Sequence, residues 1–299
     1  MNYQIRPALP FISKSLFFLY LAAFLQPASA AMQLELPAVA KQGECIRLIL
    51  RDDSLPASGD GAAGGAALPV VQFRDKSYKI FPLPRPDASA DGFVGRALIG
   101  IPADLEPGNY KVRVADKEQN VKVLAGNFPV QVMRLPKGKD NFNASPGEED
   151  TVKAAKETVS SRQYWDGKFL RPSSARVSSG FGLRRRVNGK LLKDYFHSGI
   201  DFAGGLGSPV AACQSGKVLI AHQGWKLHGN TICIDHGQGV LSFYIHLSKI
   251  LVKEGDIVKA GQKIGAIGST GRASGPHLHF SLYVNNDATS PFDWFTKVF

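Results

Sequence analysis

Cysteine is scarce in this chain of 299 residues, and its distribution argues against one kind of metal site. The three cysteines, Cys45, Cys213 and Cys233, are an odd number, and no two of them have Cys-x-x-Cys spacing. This pattern argues against a zinc site built from cysteines. A disulfide between Cys213 and Cys233 stays open as an alternative.

Histidine is absent before His197, so all seven histidines lie in the last third of the chain. The first part consequently carries no histidine-based catalytic motif. His-Glu-x-x-His, the motif of helical zinc proteases, does not occur anywhere in the sequence. Any metal chemistry must come from a different arrangement.

No apolar run is long enough to span a membrane. The apolar run at residues 16–25 has about half of the roughly twenty residues that a spanning helix needs. Arg6 and Lys14 precede this run, and a Pro-Ala-Ser-Ala sequence that ends at Ala30 follows it. This pattern predicts a signal peptide over residues 1–30, cleaved after Ala30, and a periplasmic or otherwise exported protein. The cleavage point has no cysteine, so a lipid anchor is not indicated there.

Acidic residues are the minority, with 25 Asp and Glu against 36 Lys and Arg, for a formal net charge of +11. An apolar fraction of 44% with 20% charged residues is typical of a globular chain rather than a disordered one. A basic exported protein suits a polyanionic surface, and cell wall, lipid headgroups and nucleic acid all qualify. Charge alone does not choose among them.

Short apolar stretches separated by turn residues organise the first part of the chain. They lie at residues 45–50, 70–73, 78–81, 97–101, 110–114 and 121–124. This spacing predicts an N-terminal Ig-like β-sandwich domain over residues 31–136. Residues 137–164 are polar and read as a linker with one short helix at 150–159. A second domain is predicted over residues 165–299.

Two histidines lie on one face of a predicted strand in the second domain. Residues 277–284 alternate, which places His277 and His279 on one face and an apolar set on the other. His197 and Asp201 lie four apart in a segment that we expect to be extended. Two imidazoles and one carboxylate would leave Zn²⁺ an open fourth position, and one imidazole would remain for proton transfer.

A further histidine is predicted on a polar strand face. Residues 242–247 alternate, so Ser242, Tyr244 and His246 are expected on one face. For Tyr244 a buried strand tyrosine is preferred over a residue that contributes a hydrogen bond to the site. The sequence Arg184-Arg185-Arg186 has two open interpretations, carboxylate binding or a solvated turn. The remaining histidines are interpreted as surface or core residues: His222, His228 and His236.

Several motifs of this domain resemble peptidase family M23, the peptidoglycan endopeptidases of the lysostaphin and LytM type. The resemblance covers about residues 165–294. It is carried, in the family's order, by SGFGLRR at 179–185, FHSGIDFA at 196–203, IDHG at 234–237, YIHL at 244–247, and the span from GSTG at 268–271 to HLHF at 277–280.

The resemblance implies a site with one Zn²⁺ per catalytic domain. His197, Asp201 and His279 match the zinc ligands, while His246 and His277 match the two active-site histidines that do not bind the metal. Which of these two is the general base stays open. The implied fold is an antiparallel β-sheet domain of the barrel-sandwich hybrid type.

The implied activity is hydrolysis of peptide cross-links in peptidoglycan, with D-Ala to diaminopimelate bonds as the expected target. Peptidoglycan stem peptides, rather than nucleic acid, are then the expected partner. The alternative is a non-catalytic M23-like activator of a cell-wall amidase; such proteins have lost zinc ligands, and this chain retains all three. Autoinhibition by the N-terminal domain or the linker is a further expectation.

Overall fold

The computed structural model describes residues 32–55, 67–84, 92–136 and 142–299, so the predicted signal peptide lies outside the described residues. Strands dominate the described residues, which confirms the prediction of a mostly β protein. In these parts of the chain no helix is both long and apolar enough to cross a membrane.

In the part of the chain that the structure describes, ten strands precede the first helix. They are β1 (Gln33–Glu35), β2 (Val39–Lys41), β3 (Cys45–Asp52), β4 (Val71–Phe73), β5 (Lys76–Tyr78), β6 (Phe81–Pro82), β7 (Phe93–Gly100), β8 (Gly108–Val114), β9 (Lys117–Leu124) and β10 (Val130–Met133). Nine of them form two sheets, with strand orders β1-β3-β7-β6 and β2-β9-β8-β4-β5.

The two sheets share one hydrophobic core, to which β3, β4, β7, β8 and β9 all contribute. In β8, Val112 and Val114 are buried while Lys111 and Arg113 are exposed, as expected for a strand with one face on the core. The short apolar stretches of the sequence therefore do form strands. Their Ig-like arrangement and the limits of this domain stay predictions.

Residues 142–299, which the structure describes without a gap, contain two helices and thirteen strands. They are α1 (Glu148–Lys156), β11 (Arg176–Ser179), β12 (Arg184–Val187), β13 (Lys190–Phe196), β14 (Ile200–Ala203), β15 (Pro209–Ala211), β16 (Gly216–His222), β17 (Asn230–Gly237), β18 (Val240–Leu247), β19 (Lys249–Ile250), β20 (Ile257–Val258), β21 (Lys263–Ala266), β22 (Leu278–Val284), β23 (Asp287–Thr289) and α2 (Pro291–Thr296).

An eight-stranded antiparallel sheet in this half positions the histidines. Its order is β11-β14-β22-β18-β17-β16-β20, with β23 beside β22. One face packs on a hydrophobic core, and α1 packs on the other through Val152 and Ala155. Two smaller sheets, β15-β21-β19 and β10-β12-β13, flank it.

Helix α1 begins two residues earlier and ends three residues earlier than the predicted 150–159. Its first turn contains Glu148, Glu149 and Asp150, and acidic side chains there interact favourably with the helix dipole. The β-branched Thr158 and Val159, which disfavour helix, follow its end.

The two halves of the chain contact each other directly. Lys76 Nζ lies 2.6 Å from Asp287 Oδ1, and the Arg96 guanidinium donates to the Gln163 and Gln238 side chains. Strand β10 crosses over to pair in parallel with β12. The sandwich is therefore held against the histidine-bearing half by buried and half-buried polar contacts.

Candidate metal centre and groove

Three side chains from separate parts of the chain converge on one point. His197 Nε2, Asp201 Oδ1 and His279 Nδ1 form a triangle with sides of 3.0, 2.9 and 2.9 Å. Ligand atoms around tetrahedral zinc lie about 3.3 Å apart, given bonds of 2.0–2.1 Å. Within the described residues, these three form the group of His, Cys, Asp and Glu side chains that could hold a metal ion.

The pairing of β14 with β22 brings two of these groups together. Asp201 lies directly opposite His279, so their side chains project from the same face. His197 precedes β14 and reaches the same point through a tight turn. Gly199 makes that turn fit, because a Cβ there would collide with the carbonyl oxygen of Phe280.

Hydrogen bonds on the far side of each ring orient the imidazoles. His197 Nδ1 donates to the Gly180 carbonyl at 2.7 Å, so its Nε2 carries a lone pair directed into the triangle. His279 Nε2 lies 2.9 Å from Ser281 Oγ. Acceptor atoms of two imidazoles and a carboxylate therefore face each other, and a cation at their centre would offset this repulsion. These residues fit a zinc ion.

Burial and mutual contact shift the pKa values of these groups. Burial raises the pKa of Asp201, but the close contacts with the His197 and His279 rings outweigh this effect and hold the pKa well below its usual range. Burial lowers the pKa of His279 to about 4. A carboxylate and a neutral imidazole are the forms that bind metal.

His246 and His277 lie beside the triangle. Their ring centroids are 4.9 Å apart, and His277 Nε2 is 4.0 Å from Asp201 Oδ1. His246 Nδ1 donates to the Thr270 carbonyl at 2.8 Å, so its Nε2 is an acceptor. Burial, and then the charges of His277 and His279, lower the pKa of His246 well below its usual range. A neutral imidazole is thereby available to take up a proton.

The prediction that Ser242, Tyr244 and His246 lie on one face of the strand is wrong. Ser242 and Tyr244 pair with Leu282 and Phe280 on the core side, whereas His246 lines the groove on the other side. His246 adopts φ of 64°, which reverses the alternation at the end of β18. Tyr244 is fully buried and donates nothing to the groove, as the preferred interpretation expected.

One of the three consecutive arginines belongs to the site. Arg185 is buried, and its Nη2 lies 3.3 Å from Asp201 Oδ2, whereas Arg186 is exposed and donates to the Gly189 carbonyl. Neither open interpretation of the sequence named this contact. Period-two alternation within β12 is the signal that separates the buried arginine from the exposed one, but the strand's partner is not visible in the sequence.

The other histidines and cysteines lie outside the triangle. His236 is buried between the Ser215 carbonyl and Ser242 Oγ, His228 contacts Glu148, and His222 stacks on Trp225. This matches their interpretation as surface and core residues. All three cysteines are buried free thiols, so the alternative disulfide is not formed.

The triangle opens into a groove of about 460 Å³. Lys156, Arg185 and Arg272 are the basic side chains in its lining, and Asp201 is the acidic one. Phe243, Ile245 and Tyr283 form part of its apolar floor; β10, Phe142 and α1 also border it. An open groove with a converging ligand set and neutral imidazoles is suited to hydrolysis of an extended substrate.

The fold and the site together define an antiparallel β protein with the geometry of a mononuclear metal site. Residues 195–291 match peptidase family M23. This part of the chain is therefore a peptidase M23 domain, which confirms the resemblance found in the sequence. The match does not test the individual roles of the five site residues, and these stay predictions.

Relatives and solved structures agree with this family. The peptidoglycan DD-endopeptidase ShyB of Vibrio cholerae is 34% identical over 177 residues, which are 53% of this chain and 41% of ShyB. Lysostaphin of Staphylococcus staphylolyticus is 48% identical over 97 residues, 31% of this chain and 20% of lysostaphin. A crystal structure of a Pseudomonas aeruginosa protein assigned to peptidase M23 is 28% identical to this chain and has a TM-score of 0.56. The match covers 76% of this chain and 87% of the Pseudomonas aeruginosa chain. The chain thus spans about two fifths of ShyB and one fifth of lysostaphin.

Proposed function

We propose that this chain is a zinc metalloendopeptidase that hydrolyses peptide cross-links of peptidoglycan, with the D-Ala to diaminopimelate bond as its target. The convergence of His197, Asp201 and His279 beside two further histidines carries the proposal. ShyB, which shares this part of the chain, is named a peptidoglycan DD-endopeptidase. M23-like amidase activators have lost zinc ligands, whereas this chain has all five side chains in one arrangement.

Each group in the site has a task in such a reaction. A zinc ion held by His197, Asp201 and His279 would supply Lewis acidity toward the scissile carbonyl and the attacking water. His246 and His277 share the two remaining tasks, which are proton transfer to the leaving amine and stabilisation of the developing oxyanion. Both present Nε2 toward the groove, because their Nδ1 atoms contact backbone carbonyls.

The charge of the groove supports an anionic peptide as substrate. Lys156 and Arg272 line it, while Arg185 and the carboxylate of Asp201 contact each other. Peptidoglycan stem peptides carry carboxylates, for which guanidinium groups are well shaped. The predicted signal peptide at residues 1–30 would place the enzyme beside its substrate in the periplasm.

The proposed domain organisation follows the predicted boundaries. Residues 31–136 form the N-terminal domain, residues 137–164 the linker and residues 165–299 the catalytic domain. The two separate hydrophobic cores support a division of this kind. Pairing of β10 with β12 adds the end of the first domain to the catalytic one.

Digestion of cross-linked sacculi tests the activity. The full chain, incubated with and without chelator, should release uncross-linked peptides that mass spectrometry identifies, and chelator should abolish the release. His279→Ala should release none, while His222→Ala, on an exposed residue outside the groove, should match the unsubstituted chain. If His279→Ala released as much peptide as the unsubstituted chain, the proposal of an enzyme would be refuted. Stimulation of a cell-wall amidase without peptide release would favour the activator instead.

We further propose that the segment from Phe142 to Lys156 restrains access to the groove. Val152 and Ala155 of α1 cover Phe243, Ile245 and other residues on the groove side of the sheet. The Phe142 ring lies 3.9 Å below the Arg272 guanidinium. Of the first ten strands only β10 reaches the groove, so the linker carries most of this restraint rather than the sandwich.

A buried carboxylate, Glu148, helps to hold this segment in place. Glu148 is 0% exposed and accepts hydrogen bonds from the backbone N–H groups of Leu227 and His228 and from the His228 ring at 2.7 Å. Hydrogen bonds to a charged group are worth about 1.5–3 kcal/mol each. Loss of Glu148 should therefore loosen α1 from the sheet.

Glu148→Ala tests the restraint, with the exposed neighbour Glu149→Ala as its matched control. Initial rates of peptide release from sacculi should rise several-fold for Glu148→Ala and stay unchanged for Glu149→Ala. Hydrogen exchange should show faster exchange of α1 amides in the first variant alone. An unchanged rate in a variant whose α1 exchanges faster would contradict the restraint.

A further inference from the structure

We propose that Arg185 is the positioning residue that orients Asp201 for metal binding, an inference that rests on the proposed zinc site. Arg185 does not touch the triangle of ligand atoms. It contacts the other oxygen of the carboxylate, with Nη2 3.3 Å from Asp201 Oδ2. The two oxygens of Asp201 therefore have separate partners, Oδ1 on the histidine side and Oδ2 on the arginine side.

This division of partners fixes the rotation of the carboxylate. Oδ1 lies 3.0 Å from His197 Nε2 and 2.9 Å from His279 Nδ1, and a rotation about the Cβ–Cγ bond would remove it from both. Both Arg185 and Asp201 have side chains that are 9% exposed, so little water competes for Oδ2. Without Arg185, Oδ2 would be left buried without this donor, which favours a rotated or protonated carboxylate.

Three features of the fold hold the guanidinium in this place. Arg185 and Val187 are the buried positions of β12, while Arg186 points away. Arg185 pairs with Gln131 of the parallel strand β10, and its Cζ lies 5.4 Å from the centroid of the Tyr195 ring. The guanidinium thus lies over an aromatic ring while its Nη2 reaches the carboxylate.

A purely structural ion pair would give a different result. It would lower the stability of the fold but leave the zinc affinity of the folded protein unchanged. Side chains that hydrogen-bond to metal ligands typically change metal affinity by about 10- to 100-fold when they are replaced. Zinc affinity and the ligand field of a bound metal therefore distinguish the two roles.

The experiment measures zinc affinity of the metal-free full chain by competition with a chromophoric chelator. Arg185→Gln should bind zinc about 10- to 100-fold more weakly. Arg185→Lys, which keeps the charge but loses the planar fork, should lose at least about threefold. The control Arg186→Gln, on the exposed neighbour, should stay within twofold. Visible absorption of the cobalt-substituted protein should change in the Arg185 variants alone.

The outcomes separate this inference from the proposed function. If the unsubstituted chain binds no zinc, both proposals fail. If it binds zinc and either natively folded Arg185 variant, judged by circular dichroism, binds within twofold of it, the proposed role of Arg185 alone is overturned. Should Arg185→Gln fail to fold, the affinity of Arg185→Lys decides the question.

Discussion

Two neighbouring strands carry site histidines, and only one follows the alternation of its sequence. On β22, residues Leu278 to Val284 alternate without interruption, so His279 faces the groove and Phe280 the core. On β18, the adjacent strand, Tyr244 faces the core, yet His246 two residues later faces the groove. A period of two therefore holds only while the backbone stays extended, and one left-handed residue reverses it.

The largest expected effect separates the histidines of these two strands. His279→Ala should lose both bound zinc and peptide release. His246→Asn should keep its zinc and lose about 10²- to 10⁴-fold in rate, the usual contribution of a positioned acid or base. Asparagine suits this position because it tolerates positive φ. Metal analysis measures the bound zinc of both variants, and initial rates measure their peptide release. Loss of zinc from His246→Asn would show that His246 is a ligand and would contradict the distinction between the two histidines.

The next prediction tests the core face of β22. Phe280 is 0% exposed and packs against Tyr244, with ring centroids 5.2 Å apart. Phe280→Ala should lower the free energy of unfolding by about 3–5 kcal/mol, because it leaves a cavity. Urea unfolding measures this. Phe292→Ala, at a position of α2 that is 43% exposed, is the control and should cost much less. Equal losses would contradict the burial of Phe280 in the core.

A third prediction concerns His236, which is buried in the core and lies outside the site. Burial lowers the pKa of His236 to about 4, so the folded protein binds this proton less readily than the unfolded chain. Its contribution to stability is therefore complete above about pH 6.5 and declines as the pH falls toward 4, by up to about 3 kcal/mol.

Urea unfolding of the metal-free protein between pH 7 and 4 measures this dependence. His236→Gln should have a shallower loss of stability over this range, although it is less stable at pH 7. His222→Ala, which replaces a histidine in an exposed position, should retain the slope of the unsubstituted chain. An unchanged slope in His236→Gln would show that His236 is not buried as a neutral ring.

The smallest expected effect sharpens the assignment of β18 to the core. The Tyr244 hydroxyl accepts a hydrogen bond from the Cys213 backbone N–H at 2.8 Å, and both residues are fully buried. Tyr244→Phe should cost about 1–3 kcal/mol, because the amide loses its acceptor. Peptide release should stay near that of the unsubstituted chain. A large loss of rate at unchanged stability would place the hydroxyl in the site.

The sequence by itself determined the secondary structure type and indicated the kind of site. The absence of His-Glu-x-x-His and of Cys-x-x-Cys argues against a helical zinc-protease site and a cysteine site, and the resemblance to family M23 makes His197, Asp201 and His279 the expected ligands. Uninterrupted alternation over β22 is enough to place His279 correctly, because side-chain direction on a regular strand depends on residue parity alone. The signal peptide and domain limits stay predictions.

Only the tertiary structure decided which side chains meet. The direction of His246 depends on a left-handed backbone. The selection of Arg185 from three consecutive arginines depends on the placement of β12 between β10 and β13, from which Arg185 reaches Asp201. The packing of α1 on the groove side of the sheet rests on Glu148 and loop residues about 80 positions away. Contacts across such sequence distances leave no periodic pattern, because each is set by the packing of elements rather than by local spacing.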